Sequence, residues 1–258
     1  MKKRLVGASI VVLVLASILI SPKVFGSVIS ALAVLGLKEL IDIKYKEVKI
    51  LPIKIMSYIF LIALLLNNYI YNINIMSLII LPILGLTIPV IIYNDKEKYN
   101  INDALYFIGI IYLLAFSFGT IIYLRTIGIY KALYVFIISF ATDTYAYLGG
   151  SLYGKRHFTD ISPKKTIEGS LTGIILGTIT GTIYYFLLVK DYSLIIIILM
   201  SFILTIISEV GDLFFSSIKR YYNKKDYSNL IPGHGGILDR FDSVIFVSLV
   251  IAIIINIL

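Results

Sequence analysis

Apolar residues run along this chain in long, nearly unbroken stretches separated by short polar segments. A stretch of about 20 apolar residues crosses a bilayer as a helix, which satisfies its backbone polar groups internally. The pattern predicts about nine such spans, roughly 5–20, 24–37, 51–66, 75–93, 104–124, 129–148, 167–189, 194–215 and 243–258. The first two are short and joined by Ser21-Pro22-Lys23, so they suit either two spans or a tilted hairpin. The opening Met1-Lys2-Lys3-Arg4 and its apolar run resemble a signal peptide. No small-x-small cleavage site follows, so the run is expected to remain as an anchor. The expected fold is therefore all-α: a polytopic integral membrane protein.

Composition strengthens this reading. Only 15% of residues are charged, against about a quarter in a soluble domain. The absence of Cys excludes disulfides, zinc–thiolate sites and thiol nucleophiles. The net charge of +8 fits basic loops facing anionic headgroups better than a nucleic-acid partner. Eighteen of the 23 Lys and Arg fall in segments that share a side with the N-terminus. Four (Lys23, Arg125, Lys131 and Lys190) fall on the other side, and Lys54 lies within the third span. That bias predicts a cytosolic N-terminus, an external C-terminus and residence in the cell membrane. It also places loops 154–166 and 216–242 together in the cytosol.

Chemistry concentrates in residues 139–242, so we divide the chain into an N-terminal helical region, 1–100, and a catalytic region, 101–258. Asp143, Ala146, Tyr147, Gly150 and Gly154 form one helical stripe that puts a carboxylate inside the membrane. Such a charge marks a functional position unless it is a structural acid on a packing face. Ser162-Pro163 suits an N-cap and first helical position, and with Lys164, Lys165 and Thr166 the helix start makes a phosphate site. Ordinary positive-inside loop charge is the competing explanation. Glu209, Asp212 and Ser216 lie on adjacent turns, followed by Lys219 and Arg220. Carboxylates and a hydroxyl beside cations suit a hard metal ion carrying phosphate ligands. Farther on, Lys224-Lys225-Asp226 precedes Pro232-Gly233-His234-Gly235-Gly236, whose backbone can approach a ligand closely. Asp239 and Asp242 then share one face of the last helix, with Arg240 between them.

These residues carry a resemblance. The runs Ser216-x-x-Lys219-Arg220, Lys225-Asp226 and Pro232-x-His234-Gly235-Gly236-x-x-Asp239-Arg240-x-Asp242 look like the signature of the phosphatidate cytidylyltransferase family. Asp143-x-x-Ala146-Tyr147-x-x-Gly150-x-x-x-Gly154-Lys155, Ser162-Pro163-Lys164-Lys165-Thr166-x-Glu168-Gly169 and Gly211-Asp212-Leu213 are similar to other motifs of that family. The likeness is specific over 139–243; before that, only Glu39-Leu40 attracts notice. It implies an all-helical membrane enzyme with a polar cleft facing the cytosol, a homodimer, that joins CTP and phosphatidate into CDP-diacylglycerol and pyrophosphate. Carried over to this chain, it implies that Asp212 and Asp239 hold catalytic Mg2+, with a second cation allowed beside it. Lys219, Arg220, Lys225 and the His234 loop would lie near the nucleotide phosphates, and Asp143 would face the same cleft. The wider expected substrate-binding set comprises Lys155, Ser162, Lys164, Lys165, Thr166, Glu168, Asp226, Gly235, Gly236, Arg240 and Asp242.

Phosphatidate is already anionic at neutral pH, so this chemistry needs charge neutralisation and in-line positioning more than a strong base. His234 is accordingly expected to act as a hydrogen-bonding or phosphate ligand. A cation-coupled transporter would use the buried acids but leave the basic glycine-rich loop unexplained. A non-catalytic scaffold explains neither. Among related lipid enzymes, a CTP-dependent polyprenol kinase is a neighbouring class, whereas the Asp-Gly-x-x-Ala-Arg motif of CDP-alcohol phosphotransferases is absent.

Overall fold

The structure, a computed structural model, describes residue 14, residues 16–45, 50–67, 74–93, 97–230 and 235–258. Among the described residues from Pro22 onward, eight helices follow one another: α1 Pro22–Lys44, α2 Leu51–Leu66, α3 Ile75–Ile92, α4 Ile101–Ile127, α5 Ile129–Tyr153, α6 Ile167–Leu188, α7 Leu194–Tyr221 and α8 Leu238–Ile257. No strand occurs among the described residues; His157 and Thr166 form an isolated antiparallel bridge. Seven of the helices are long and apolar enough to cross a membrane, and α2, at 16 residues, is a shorter apolar helix. The protein is an all-α, multi-pass membrane protein. The expected span 5–20 lies mostly outside the described residues, although 16–20 are helical.

Helix boundaries follow local chemistry. Ser21 caps α1 by accepting the Val24 N–H at 3.2 Å, and Pro22 occupies the first helical position, where its missing donor costs nothing. Asn74 caps α3 in the same manner, at 3.0 Å from the Met76 nitrogen. Two prolines, Pro82 and Pro89, lie inside α3; membrane helices tolerate this because neighbouring groups satisfy the freed carbonyls. The Tyr112 hydroxyl donates to the Ile79 carbonyl of α3.

The described residues fall into two compact units. One is drawn from Met1–Tyr123 and Tyr227–Ile237, the other from Leu124–Asp226 and Leu238–Leu258. The first buries Phe25, Leu37, Leu40, Phe107 and Phe118. Near the end of α1, Lys44 and Tyr45 both engage Asp103 of α4, and the Tyr106 hydroxyl donates to the Leu40 carbonyl at 2.6 Å.

The second unit comprises α5 to α8, with α5 packed most extensively on α6. Gly169, Gly173, Gly177 and Gly181 recur every fourth residue and give α6 one smooth face. At Gly173 the approach is close: a Cβ there would stand 2.8 Å from both the Ala146 Cβ and the Thr142 carbonyl oxygen. Buried Tyr134 and Tyr185 stack edge to face at 4.9 Å, and the Tyr134 hydroxyl bonds Ser201 of α7 at 2.7 Å. The outward faces of α6 and α7 present exposed Ile, Leu and Phe, as lipid-facing surfaces do.

Candidate active site

Three helices and one loop of the second unit bring charged side chains together. The loop is positioned first. Phe158 and Lys165 pair through backbone atoms at 3.0 Å, as do Ile167 and Arg156, so 156–158 lies antiparallel to 165–167. Between them the chain turns, and the Pro163 carbonyl bonds His157 Nδ1 at 3.0 Å. Glu168 closes the base by accepting the Lys155 and Arg156 N–H groups and Arg156 Nε.

Here the structure corrects one expectation. Ser162-Pro163 does not cap α6; Thr166 does, its hydroxyl accepting the Gly169 N–H at 3.1 Å. Ser162 instead closes a turn through its carbonyl, which accepts the Lys165 N–H. The antiparallel pairing of 156–158 with 165–167 keeps the chain extended through Thr166, so the helix starts after it. The Ile167 and Gly169 N–H groups are thereby already bonded. The anion-binding capacity of this segment then rests on its lysine side chains rather than on a bare helix terminus.

Lys165 is the centre of that capacity. Its ammonium lies 2.7 Å from Glu209 Oε2 and 2.6 Å from Asp212 Oδ2, both on α7. Ser170 Oγ donates to the same Glu209 oxygen at 3.3 Å. Burial works against the lysine's charge, but the Asp212 and Glu209 carboxylates outweigh it and hold its pKa above the usual lysine range. The side chain is thus a fixed cation.

Helix α7 runs on past the predicted end of its span to Tyr221, so Lys219 and Arg220 are helical. Glu209, Asp212, Ser216 and Lys219 are spaced three, four and three residues apart and share one face. Lys219 Nζ meets Asp239 Oδ1 of α8 at 2.7 Å, and both side chains are largely buried. The helix stops where Asn223 adopts a left-handed conformation (φ 53°) and the Lys224 N–H turns back to the Lys219 carbonyl. Arg220 spends its guanidinium on backbone carbonyls, Ile161 at 3.4 Å and Lys224 at 2.9 Å. It therefore ties the two loops together.

Helix α8 opens at Leu238, which places Asp239 and Asp242 in its first two turns. Asp143 of α5 accepts the Ser243 hydroxyl at 3.0 and 3.2 Å. Asp143, Asp212, Asp239 and Asp242, together with Lys164, Lys165, Ala146 and Tyr147, line one cavity of about 310 Å³. Six of the expected site residues therefore converge. Lys155, Thr166, Glu168 and Arg220 shape the surrounding loops, while Lys225, Asp226 and Arg240 are exposed to solvent. Gly235 and Gly236 belong to the first unit. His234 lies outside the described residues.

Sequence reasoning missed two contributors and one pairing. Ser243 and Ser170 are ordinary hydroxyls in apolar helices, and nothing local marks them. Glu209 was noticed as an acid but not as the buried partner of Lys165, which stands 44 positions away in the chain.

Comparison with known proteins bears on this constellation. The model of the family described as "Cytidylyltransferase family" matches residues 2–258. The chain belongs to that family. It is 34% identical over 221 residues to the phosphatidate cytidylyltransferase of Staphylococcus haemolyticus, covering 84% of each chain. Its identity to the phosphatidate cytidylyltransferase of Staphylococcus saprophyticus is 31% over 252 residues, 96% of each chain. The Bacillus subtilis protein of the same name is 31% identical, over 96% of this chain and 94% of its own. Bacterial kinship and seven candidate spans make this a bacterial multi-pass membrane protein, in line with the sequence pattern.

Proposed function

We propose that the protein transfers the cytidylyl group of CTP to phosphatidate, giving CDP-diacylglycerol and pyrophosphate. One observation carries the reading: a cavity in a membrane helix bundle lined by four aspartates and two lysines, in a chain whose relatives are named phosphatidate cytidylyltransferases. A phosphate oxygen of phosphatidate forms a bond to the α-phosphorus of CTP. The bond from that phosphorus to the β-phosphate oxygen breaks, and pyrophosphate departs with the electron pair. No net proton transfer is required, which suits a cavity built from fixed charges.

Lys164 and Lys165 offset phosphate charge in the transition state, as cationic side chains do in phosphoryl-type transfer. Glu209 and Ser170 hold Lys165 in place, so its cation is oriented before substrate arrives. Lys219 restrains Asp239, and Ser243 restrains Asp143.

Four carboxylates against two lysines leave the cavity with excess negative charge, and hard oxygen donors of this type fit Mg2+. Although four aspartates line the cavity, no three acidic or imidazole side chains among the described residues stand close enough together to hold a metal ion by themselves. A Mg2+ ion here would take one or two carboxylates and complete its shell with substrate phosphates. Asp212 and Asp239 are the proposed ligands, and the bound ion would supply charge neutralisation across the phosphates.

The reading includes a cytosolic N-terminus and a cytosolic active site, supported by the distribution of Lys and Arg. It also includes a homodimer, which rests on the family resemblance and is read by the native mass of the detergent-solubilised protein. The central test uses purified protein, phosphatidate, Mg2+ and CTP labelled at the α-phosphate. Label appearing in the lipid phase is the expected result; label confined to the aqueous phase overturns the proposal.

A further inference from the structure

Glu39 sits five residues before the end of α1, in the half of the chain that carries no other recognisable chemistry, and it is 4% exposed. Its Oε1 accepts two hydrogen bonds from far along the chain: the Ser228 hydroxyl at 2.6 Å and the Ile237 N–H at 2.9 Å. The Ser228 oxygen in turn accepts the Leu230 N–H at 3.1 Å. One carboxylate thereby joins Ser228 to the loop that carries Gly235, Gly236 and Ile237. These groups all belong to the first unit.

The glycines of this loop fit the same contact. Gly235 has φ 81°, a left-handed conformation that favours glycine. Gly236 has an ordinary backbone, yet a Cβ there would stand 2.3 Å from Glu39 Oε1 and 2.6 Å from Oε2. The missing side chain at Gly236 is therefore required by Glu39, independently of any ligand. A carboxylate so deeply buried would be costly without these donors, since unpaired buried charge is strongly disfavoured. It is also well placed to hold backbone, because charge-assisted bonds to N–H and O–H groups are the stronger ones.

We propose that Glu39 is a positioning residue for cytidylyl transfer: its carboxylate clamps the loop bearing Gly235 and Gly236 in a working conformation. The role in transfer rests on the function proposed above; the clamp itself does not. It assigns a task to the N-terminal helices, which would supply the anchor on which the glycine loop is set.

The chain has no cysteine, so Ile237→Cys introduces a single thiol at a position that is fully buried. In the purified full-length protein, maleimide should modify this thiol at least about tenfold faster when Glu39→Ala is also present, a ratio equivalent to ~1.4 kcal/mol of lost anchoring. In the otherwise native chain, Glu39→Ala should raise the KM for CTP about tenfold, leaving the KM for phosphatidate within about twofold. Glu39→Gln, whose amide oxygen still accepts, should recover part of the loss. Gly236→Ala should be severely damaging alone yet cost far less beside Glu39→Ala, because the colliding carboxylate is gone. An unchanged labelling rate, or additive effects of Glu39→Ala and Gly236→Ala, overturns the clamp. Faster labelling with unchanged kinetics overturns the positioning role. A native chain that transfers no label from CTP overturns the proposed reaction instead, while the labelling rate still decides the clamp.

Discussion

The Lys165 bridge gives the most demanding quantitative prediction. Replacing Lys165 with Met keeps the side-chain length and removes the charge. Glu209, whose side chain is 5% exposed, would be left with Ser170 at 3.3 Å as its described partner. Asp212, at 27% exposed, can recover hydration and adds little. Breaking a buried ion pair by deleting one partner costs about 3–5 kcal/mol. Lys165 is 18% exposed, so water relieves part of this and the lower end, about 3 kcal/mol, is expected. That is on the order of a hundredfold in the unfolding equilibrium. Glu209→Gln should cost about 1 kcal/mol, since Lys165 keeps Asp212 and the amide can still accept a hydrogen bond. The double variant should lie close to Glu209→Gln alone, with a coupling of at least about 1.5 kcal/mol. Reversible unfolding in mixed micelles measures all four stabilities. Activity should separate from stability: the double variant should regain the fold but transfer almost no cytidylyl group, because the fixed cation is missing. Additive stabilities, or full turnover by the double variant, would refute the reasoning.

Asp212→Asn and Asp239→Asn should each remove nearly all transfer of label from CTP to lipid while leaving membrane insertion intact, and EDTA should abolish the native activity. Turnover that survives either treatment would dismiss the proposed metal ligation. Gly173→Leu should prevent α5 from seating on α6, costing about 3 kcal/mol because the obstruction includes the Thr142 backbone oxygen; thermal inactivation in detergent reads this. Arg220→Lys should lower activity despite conserving charge, because lysine lacks the fork that bonds the carbonyls of Ile161 and Lys224 together. Unchanged steady-state kinetics would leave Arg220 with no role beyond loop charge. A reporter fused after Leu258 should read as external, and a cytosolic signal there would invert the proposed topology.

Much was legible along the chain because the physics involved is local or compositional. Unbroken apolar runs announce helices, since a bilayer allows few other ways to satisfy backbone groups. The shared face of Glu209, Asp212 and Ser216, and the spacing of Asp239 and Asp242, follow from helical periodicity. The sequence alone also carried the family resemblance, because its motif residues can be recognised without knowing what they touch. What only the tertiary structure decided were pairings between distant segments. Periodicity cannot tell that Lys165 chooses Glu209 and Asp212, that Lys219 chooses Asp239, or that Thr166 rather than Ser162 caps α6. The last depends on backbone pairing between 156–158 and 165–167. Glu39 is the clearest case. In sequence it is one acid at the end of an apolar helix; its partners Ser228 and Ile237 stand 189 and 198 positions away. A buried carboxylate must find donors wherever the fold brings them, and chain order holds no record of that meeting.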